Sequence, residues 1–111
     1  MNRHVPPRDS RPQSPLFAKT YDLLLWLIPL TLKFPRSQRF LLAERLSGMA
    51  LDFYDRILEA VIEPESQGER LQAADRLLTK IRLYVRLSYD LQCISEGQWD
   101  RRPGGWTKSG G

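Results

Sequence analysis

The chain has 111 residues with a formal charge of +4, and 41% of its residues are hydrophobic while 27% are charged. This length suits one hydrophobic core, and this composition argues against wholesale disorder. One cysteine, Cys93, excludes an internal disulfide, and one histidine, His4, excludes the common zinc spacings, so we expect a cytoplasmic protein without metal or other cofactor.

The N-terminal residues 1–13 hold three prolines and three arginines and offer little to bury. We predict a disordered basic tail there, followed by a helical bundle domain over residues 14–102. Ser14 followed by Pro15 is typical of a helix start, and this first helix should run to about Lys33.

Apolar residues of the first helix recur at spacings of three and four, which predicts a core stripe along one face. That stripe comprises Phe17, Tyr21, Leu24, Ile28 and Leu32. Trp26 is rotated away from it and is a candidate subunit contact. The apolar run over residues 23–30 is far below the roughly 20 residues that span a bilayer. We expect it to be a buried helical segment, with no membrane partner.

Two further long helices follow. Phe34-Pro35 should end the first helix, and the short connection predicts an antiparallel second helix from about Arg36 to Ile62. A third helix should run from about Glu69 to Ile94. The predicted core residues of the second helix are Phe40, Ala43, Leu46, Ala50, Phe53 or Tyr54, Ile57 and Val61. Those of the third are Leu71, Ala74, Leu78, Ile81, Val85 and Ser88, widened by Leu77, Tyr84 and Leu91.

The C-terminal part contains repeated glycines and a proline, which discourage a long helix. At most a short fourth helix begins near Ser95 and stops before Pro103, and residues 103–111 should form a Gly-rich tail. No segment alternates with the period of a strand. The predicted fold class is therefore all-α, an antiparallel up-down helical bundle with three long helices and a short or truncated fourth.

Charge is unevenly distributed along the chain. Residues 1–39 carry a net charge of +5, residues 52–69 carry −5, and residues 70–86 carry +4. In an antiparallel bundle the first turn lies beside the end of the third helix, which predicts a basic pole opposite an acidic one. The basic pole would comprise Lys33, Arg36, Arg39, Lys80, Arg82 and Arg86. The acidic pole would comprise Glu59, Glu63, Glu65 and Glu69.

The basic residues of the third helix flank its apolar stripe. At about 100° per residue, Arg76 and Lys80 fall on one flank while Arg82 and Arg86 fall on the other. They could contact phosphates or an acidic protein groove. Alternatively they form a solvated face, in which Arg86 pairs with Asp90 at i, i+4.

Aromatic residues offer a second route to nucleic acid, because bases stack on them. Helical spacing instead favours a place in the core or in an interface. The four residues concerned are Tyr21, Trp26, Tyr84 and Tyr89.

Catalytic chemistry is not indicated. Cys93 has no histidine nearby in sequence, and His4 lies in the predicted tail. Asp52 and Asp55 could form a metal or acid–base pair, but their acidic helix face favours a solvated cluster. We predict that the protein has no catalytic residues and is not an enzyme.

Three segments resemble one known family in sequence and in order: YDLLLWLIPLTLKFPRSQRFLLAERL, LTKIRLYVRLSYDLQCIS and GGWTKS. Over about residues 17–108, the chain is similar to the accessory variability determinant of diversity-generating retroelements. That family lies within the four-helix-bundle superfamily that includes proteins encoded by intervening sequences of 23S ribosomal RNA genes. The KFPRSQRF turn and the closing GGWTK motif are more specific than the leucine-rich portions.

The resemblance implies a non-enzymatic accessory subunit that forms a homopentamer. It would bind the retroelement reverse transcriptase and the template RNA or its cDNA, and so support mutagenic retrohoming. Matched by position, Lys33, Arg36 and Arg39 correspond to a basic turn. Lys80, Arg82 and Arg86 correspond to a basic third helix, while Trp106, a further candidate subunit contact, and Lys108 match the terminal motif.

The chain departs from the family after its third helix. The family has a fourth helix of several turns before the GGW motif, whereas only GQWDRRP intervenes in this chain. Either a neighbouring subunit or another partner completes the bundle, or three long helices leave an exposed groove. The alternative function is a structural oligomerisation or interaction module of the ribosomal intervening-sequence type, with no role in nucleic-acid binding.

Overall fold

A computed structural model of the chain describes residues 15–103. The predicted tail over residues 1–13 and nearly all of the predicted Gly-rich tail lie outside the described residues. Three long helical segments are joined by short turns, and a short helix follows them. In chain order the elements are α1 (Pro15–Thr31), α2 (Arg36–Gln38), a π-helical turn (Arg39–Ala43), α3 (Glu44–Ile62), a 3-10 turn (Pro64–Ser66), α4 (Gln67–Asp90) and α5 (Glu96–Asp100).

The predicted fold class is confirmed, since the described residues form an all-α bundle. Helix α3 is central and packs against both α1 and α4. The neighbours run antiparallel: the Phe17 ring lies 6.0 Å from the Tyr54 ring, far from the turn that joins their helices. None of the helices between residues 15 and 103 is long and apolar enough to cross a membrane.

The most buried face of α1 is rotated from the predicted stripe, of which Tyr21, Leu24 and Ile28 are half-buried against the core. Of the predicted stripe only Phe17 is buried, and Leu32 is 72% exposed. The buried residues besides Phe17 are Thr20, Leu23, Leu27, Leu30 and Thr31. The prediction that residues 23–30 form a buried segment is also wrong in part, because Leu25 is 61% exposed.

The physical reason lies in the apolar run and in the threonines. Residues 23–30 are apolar on every side of the helix, so their periodicity does not select a face. The two threonines satisfy their hydroxyls within the helix, which allows their burial. Thr20 Oγ1 donates to the Leu16 carbonyl at 2.8 Å, and Thr31 Oγ1 donates to the Ile28 carbonyl at 2.7 Å.

The second long segment is continuous over residues 36–62 but contains one wider, π-helical turn. Leu42 and Ala43 in that turn are buried, whereas Leu41 is 70% exposed. The core of α3 matches the prediction closely, with Phe53 rather than Tyr54 inside and Ala60 in place of Val61. Its buried residues are Leu46, Ala50, Phe53, Ile57 and Ala60.

Arg70 joins the start of α4 to the end of α3. Its guanidinium donates at 2.7 Å to both Glu59 Oε1 and Glu63 Oε1. The expected acidic pole is therefore partly neutralised by an arginine of the neighbouring helix. On α4 the predicted core is confirmed for Ala74, Ile81, Val85 and Ser88, while the predicted extension to Leu91 is wrong, since that residue is 49% exposed.

A substitution at Leu46 tests whether α3 forms the centre of the core. Its side chain is fully buried, so Leu46→Ala should leave a cavity and lower the free energy of unfolding by about 2–5 kcal/mol. Urea unfolding followed by circular dichroism measures this loss. Leu41→Ala, at an exposed position of the same segment, is the control and should change stability by less than about 0.5 kcal/mol. Equal effects of the two substitutions would contradict this packing.

Candidate functional site

The turn between the first two helical segments carries two of the predicted basic residues at its surface. Lys33 and Arg36 are exposed, and Phe34 between them is buried. Arg39 lies in the π-helical turn that follows. The Phe34 side chain anchors this turn in the core, so the exposed cations are held on an ordered segment of the bundle.

Helix α4 carries the other predicted basic residues, but not at one end. Arg76 and Lys80 are exposed and make no ion pair with a described residue. Arg86 Nε donates to Asp90 Oδ1 at 3.2 Å, which confirms the i, i+4 pair expected from the sequence. At 1.5 Å per residue, Lys80 lies about 15 Å before the last residue of α4. Of these residues, only Arg86 lies within about one turn of that end, and the predicted basic pole stays a prediction.

Arg82 belongs to a different surface. It is half-buried and lines a groove of about 520 Å³ between α1 and α4. Lys19 from α1 and Arg101 after α5 line the same groove. The structure thus brings Arg82 together with two cations that lie outside the predicted basic pole.

The floor and walls of this groove are largely apolar. Leu16, Leu23 and Trp26 face it from α1, Leu78 faces it from α4, and Phe53 of α3 lies beneath. In a four-helix bundle, the fourth helix packs between the first and third and diagonally across from the second. The groove occupies that fourth position, of which α5 fills only one end.

Trp26 makes an intramolecular contact with the short helix. Its indole Nε1 donates to the Gln98 carbonyl at 3.3 Å, and the ring is half-buried against the core. Part of its burial is therefore explained within one chain, and its role as a subunit contact stays a prediction. Trp106, the other candidate subunit contact, and Lys108 lie outside the described residues.

Stacking between one aromatic residue of α4 and one of α5 packs the short helix against the end of α4. The Tyr89 and Trp99 rings lie 4.4 Å apart with an interplanar angle of 11°, and Arg102 Cζ lies 3.8 Å from the Trp99 ring centroid. Partial burial, together with the carboxylate of Glu96, raises the pKa of the Tyr89 phenol. The expectation that the aromatic residues pack against the core is confirmed, since Tyr21, Trp26, Tyr84 and Tyr89 all do so.

Two local motifs direct the chain from α4 into α5. Gln92 adopts a left-handed conformation with φ of 66°, and its N–H donates to the Tyr89 carbonyl while the Cys93 N–H donates to the Ser88 carbonyl. This Schellman motif ends α4 four residues before the predicted end. Ser95 then caps α5 with a capping box that includes Gln98, which confirms the predicted start and length of the short helix.

A second, shallower groove lies on the other side of α1. Its volume is about 310 Å³, and it is lined only by apolar and tyrosine side chains of α1 and α3. Leu25 lines both grooves, and Leu51 is 52% exposed. Helix α1 therefore leaves an apolar surface uncovered by the described residues.

The residues considered for catalysis do not form a metal site between residues 15 and 103. No three His, Cys, Asp or Glu side chains of this part of the chain could hold a metal ion. Asp52 and Asp55 are exposed, as expected for a solvated cluster. Cys93 is buried, and burial raises the pKa of its thiol, which disfavours the nucleophilic thiolate.

A spacing pattern in the sequence of α1 could have indicated the groove. Leu16, Lys19, Leu23 and Trp26 follow one another at spacings of three and four, so they share one face of α1. Periodicity alone could not distinguish this face from the predicted stripe, because both sets of residues have the helical period. The contribution of Arg101 had no such signal, since it depends on how α5 folds back.

Comparison with known proteins identifies no relative of this chain. The chain matches no protein-family model, no curated protein and no solved structure.

Substitutions at Gln92 test the left-handed turn that connects α4 to α5. A non-glycine residue in the left-handed region is strained, so Gln92→Gly should raise the free energy of unfolding by about 0.5–1 kcal/mol. Gln92→Val, which is β-branched, should lower it instead. Thermal and urea unfolding of the two variants measure both changes. A loss of stability in the glycine variant would contradict the left-handed turn.

Proposed function

We propose that the protein is a non-enzymatic accessory subunit of a diversity-generating retroelement. In this proposal it binds the retroelement reverse transcriptase and the template RNA or its cDNA, and supports mutagenic retrohoming. The sequence resemblance supplies the system and its partners. The observation that carries the nucleic-acid part is the solvent-exposed flank of α4, where Arg76 and Lys80 project without an ion pair to a described residue.

The geometry supports phosphate binding without base recognition. Arg76 and Lys80 are four residues apart, so they lie about 6 Å apart along one face of α4. Lys33 and Arg36 add exposed cations on the first turn. Each phosphate contact releases condensed counterions, so affinity should fall steeply with salt while depending little on RNA sequence.

A second candidate function is supported by the apolar surface of α1. Leu25 and Leu32 are 61% and 72% exposed, and the shallow groove beside α3 is lined almost wholly by apolar side chains. Such a surface is typical of a protein–protein contact. It suits an oligomerisation module of the ribosomal intervening-sequence type, and also the homopentamer that the resemblance implies. Nucleic-acid binding separates the two functions.

The discriminating measurement is binding of a labelled structured RNA, followed by fluorescence anisotropy at several salt concentrations. Arg76→Ala/Lys80→Ala should weaken binding and reduce the magnitude of the log–log salt slope by about 1.4–1.8, since each lost phosphate contact accounts for about 0.7 in single-stranded and about 0.9 in duplex regions. Because both residues are exposed, circular dichroism should show unchanged helicity.

Lys19→Ala/Arg101→Ala is the matched control, since it removes the same charge from the α1–α4 groove. It should leave the salt slope nearly unchanged. Equal losses in both double variants would mean that net charge alone attracts RNA. Absence of RNA binding by the unmodified protein at low salt would favour the oligomerisation module.

The retroelement assignment has its own test in the genomic neighbourhood. It requires a reverse transcriptase gene and a pair of near-identical repeats close to the gene for this chain. Co-purification of that polymerase with the protein, and its loss on removal of the α4 cations, would support the partner assignment. A neighbourhood without a reverse transcriptase would overturn it.

A further inference from the structure

The α1–α4 groove has the shape expected of a seat for one helix. Its walls are α1 and α4, which both pack against α3, and Phe53 of α3 closes its floor. Along α1 the lining extends from Leu16 to Trp26, a distance of about 15 Å. A helix of about three turns would match this length, and at the usual 8–10 Å between axes it would contact α1 and α4 together.

The open part of the groove is bounded by α5. The hydrogen bond from Trp26 Nε1 to the Gln98 carbonyl fixes the short helix at one end of the fourth bundle position. Helix α5 ends at Asp100, and Arg101 and Pro103 line the groove beyond it. Among the described residues, the hydrogen bond to α5 is made at Trp26, ten residues after Leu16 at the other end of the α1 lining.

The charges at the groove select the kind of helix. Lys19, Arg82 and Arg101 line it, and Asp22 is the one anionic residue in the lining described. Lys19 and Arg101 are exposed, whereas Arg82 is half-buried at the α4 wall. Cations thus stand on both walls and at one end, around an apolar floor of leucine, tryptophan and phenylalanine. A helix with an apolar face and acidic flanks is complementary to this arrangement.

We propose that the α1–α4 groove binds an acidic amphipathic helix of a partner protein, which completes a four-helix arrangement in trans. The helix places apolar residues at i, i+3, i+4 and i+7 against Leu16, Leu78 and Phe53. Its glutamates or aspartates lie toward Lys19, Arg82 and Arg101. This inference does not rest on the retroelement assignment, since it follows from the groove alone.

Nucleic acid is a poorer match for the same surface. Phosphates would meet the three cations, but the leucine side chains offer no flat surface for base stacking, and the Phe53 ring is only 3% exposed. The Trp26 indole already donates its N–H to the Gln98 carbonyl and is held against α5. The exposed flank of α4, with Arg76 and Lys80, is the surface suited to phosphates.

The test uses designed helical peptides of about 14 residues as probes. The first carries leucine on one face and glutamate on both flanks, the second replaces each glutamate by lysine, and the third replaces each leucine by serine. Fluorescence anisotropy of labelled peptides with the full chain should give at least tenfold tighter binding of the glutamate peptide than of the lysine peptide. The serine peptide should not bind, because it lacks the apolar face.

Reversing the charge of the groove cations tests whether the peptide binds in the α1–α4 groove. Lys19→Glu/Arg101→Glu should lower the affinity for the glutamate peptide at least tenfold and favour the lysine peptide. Arg76→Glu/Lys80→Glu changes the net charge equally, on the opposite flank of α4, and should keep the original preference. All four substituted residues are exposed, so both variants should fold and retain the circular dichroism spectrum of the unmodified chain.

Four results would overturn the proposal. The glutamate and lysine peptides could bind equally, or both reversals could have the same effect, which would remove the role of the groove cations. Self-association of the chain that Lys19→Glu/Arg101→Glu disperses would identify a second copy as the occupant. Peptide binding that develops only in Trp106→Ala would identify a segment of the chain itself.

Discussion

The narrow apolar stripe of α3 is the constraint on which the rest of the bundle depends. Its buried residues recur at spacings of three and four from Leu46 to Ala60, so they form one line along the helix. Both α1 and α4 pack against this line, one from each side. The two helices share this one stripe, and Phe53 on it lines the α1–α4 groove.

Much of the fold could be predicted from periodicity and capping. The helical segments, the core of α4, the Ser95 start of α5 and the Arg86–Asp90 pair all follow from spacing rules and agree with the structure. The buried face of α1 could not be predicted, because its apolar run surrounds the helix and its buried threonines resemble surface residues. The π-helical turn and the groove position of Arg82 depend on packing between segments, which periodicity within one helix does not report.

Helix α4 separates two binding surfaces by rotation. Arg76 and Lys80 lie on its solvent flank, while Leu78 and Arg82 lie on its groove flank. At about 100° per residue, Lys80 and Arg82 differ by about 160° around the helix. One helix can therefore present cations to a polyanion and an apolar, cationic wall to a protein helix at the same time. An accessory subunit that joins a polymerase to RNA would need two such separate surfaces.

The openness of the fourth bundle position can be measured directly by paramagnetic relaxation from a small soluble agent, in methyl-labelled protein. Leu16 and Leu25 are 39% and 61% exposed at the groove, whereas Leu27 and Leu46 are fully buried. An open groove requires strong relaxation of the Leu16 and Leu25 methyl signals and little effect on Leu27 and Leu46. Protection of Leu16 and Leu25 to the level of Leu27 would show that the position is filled within the isolated chain, and would contradict an open fourth position.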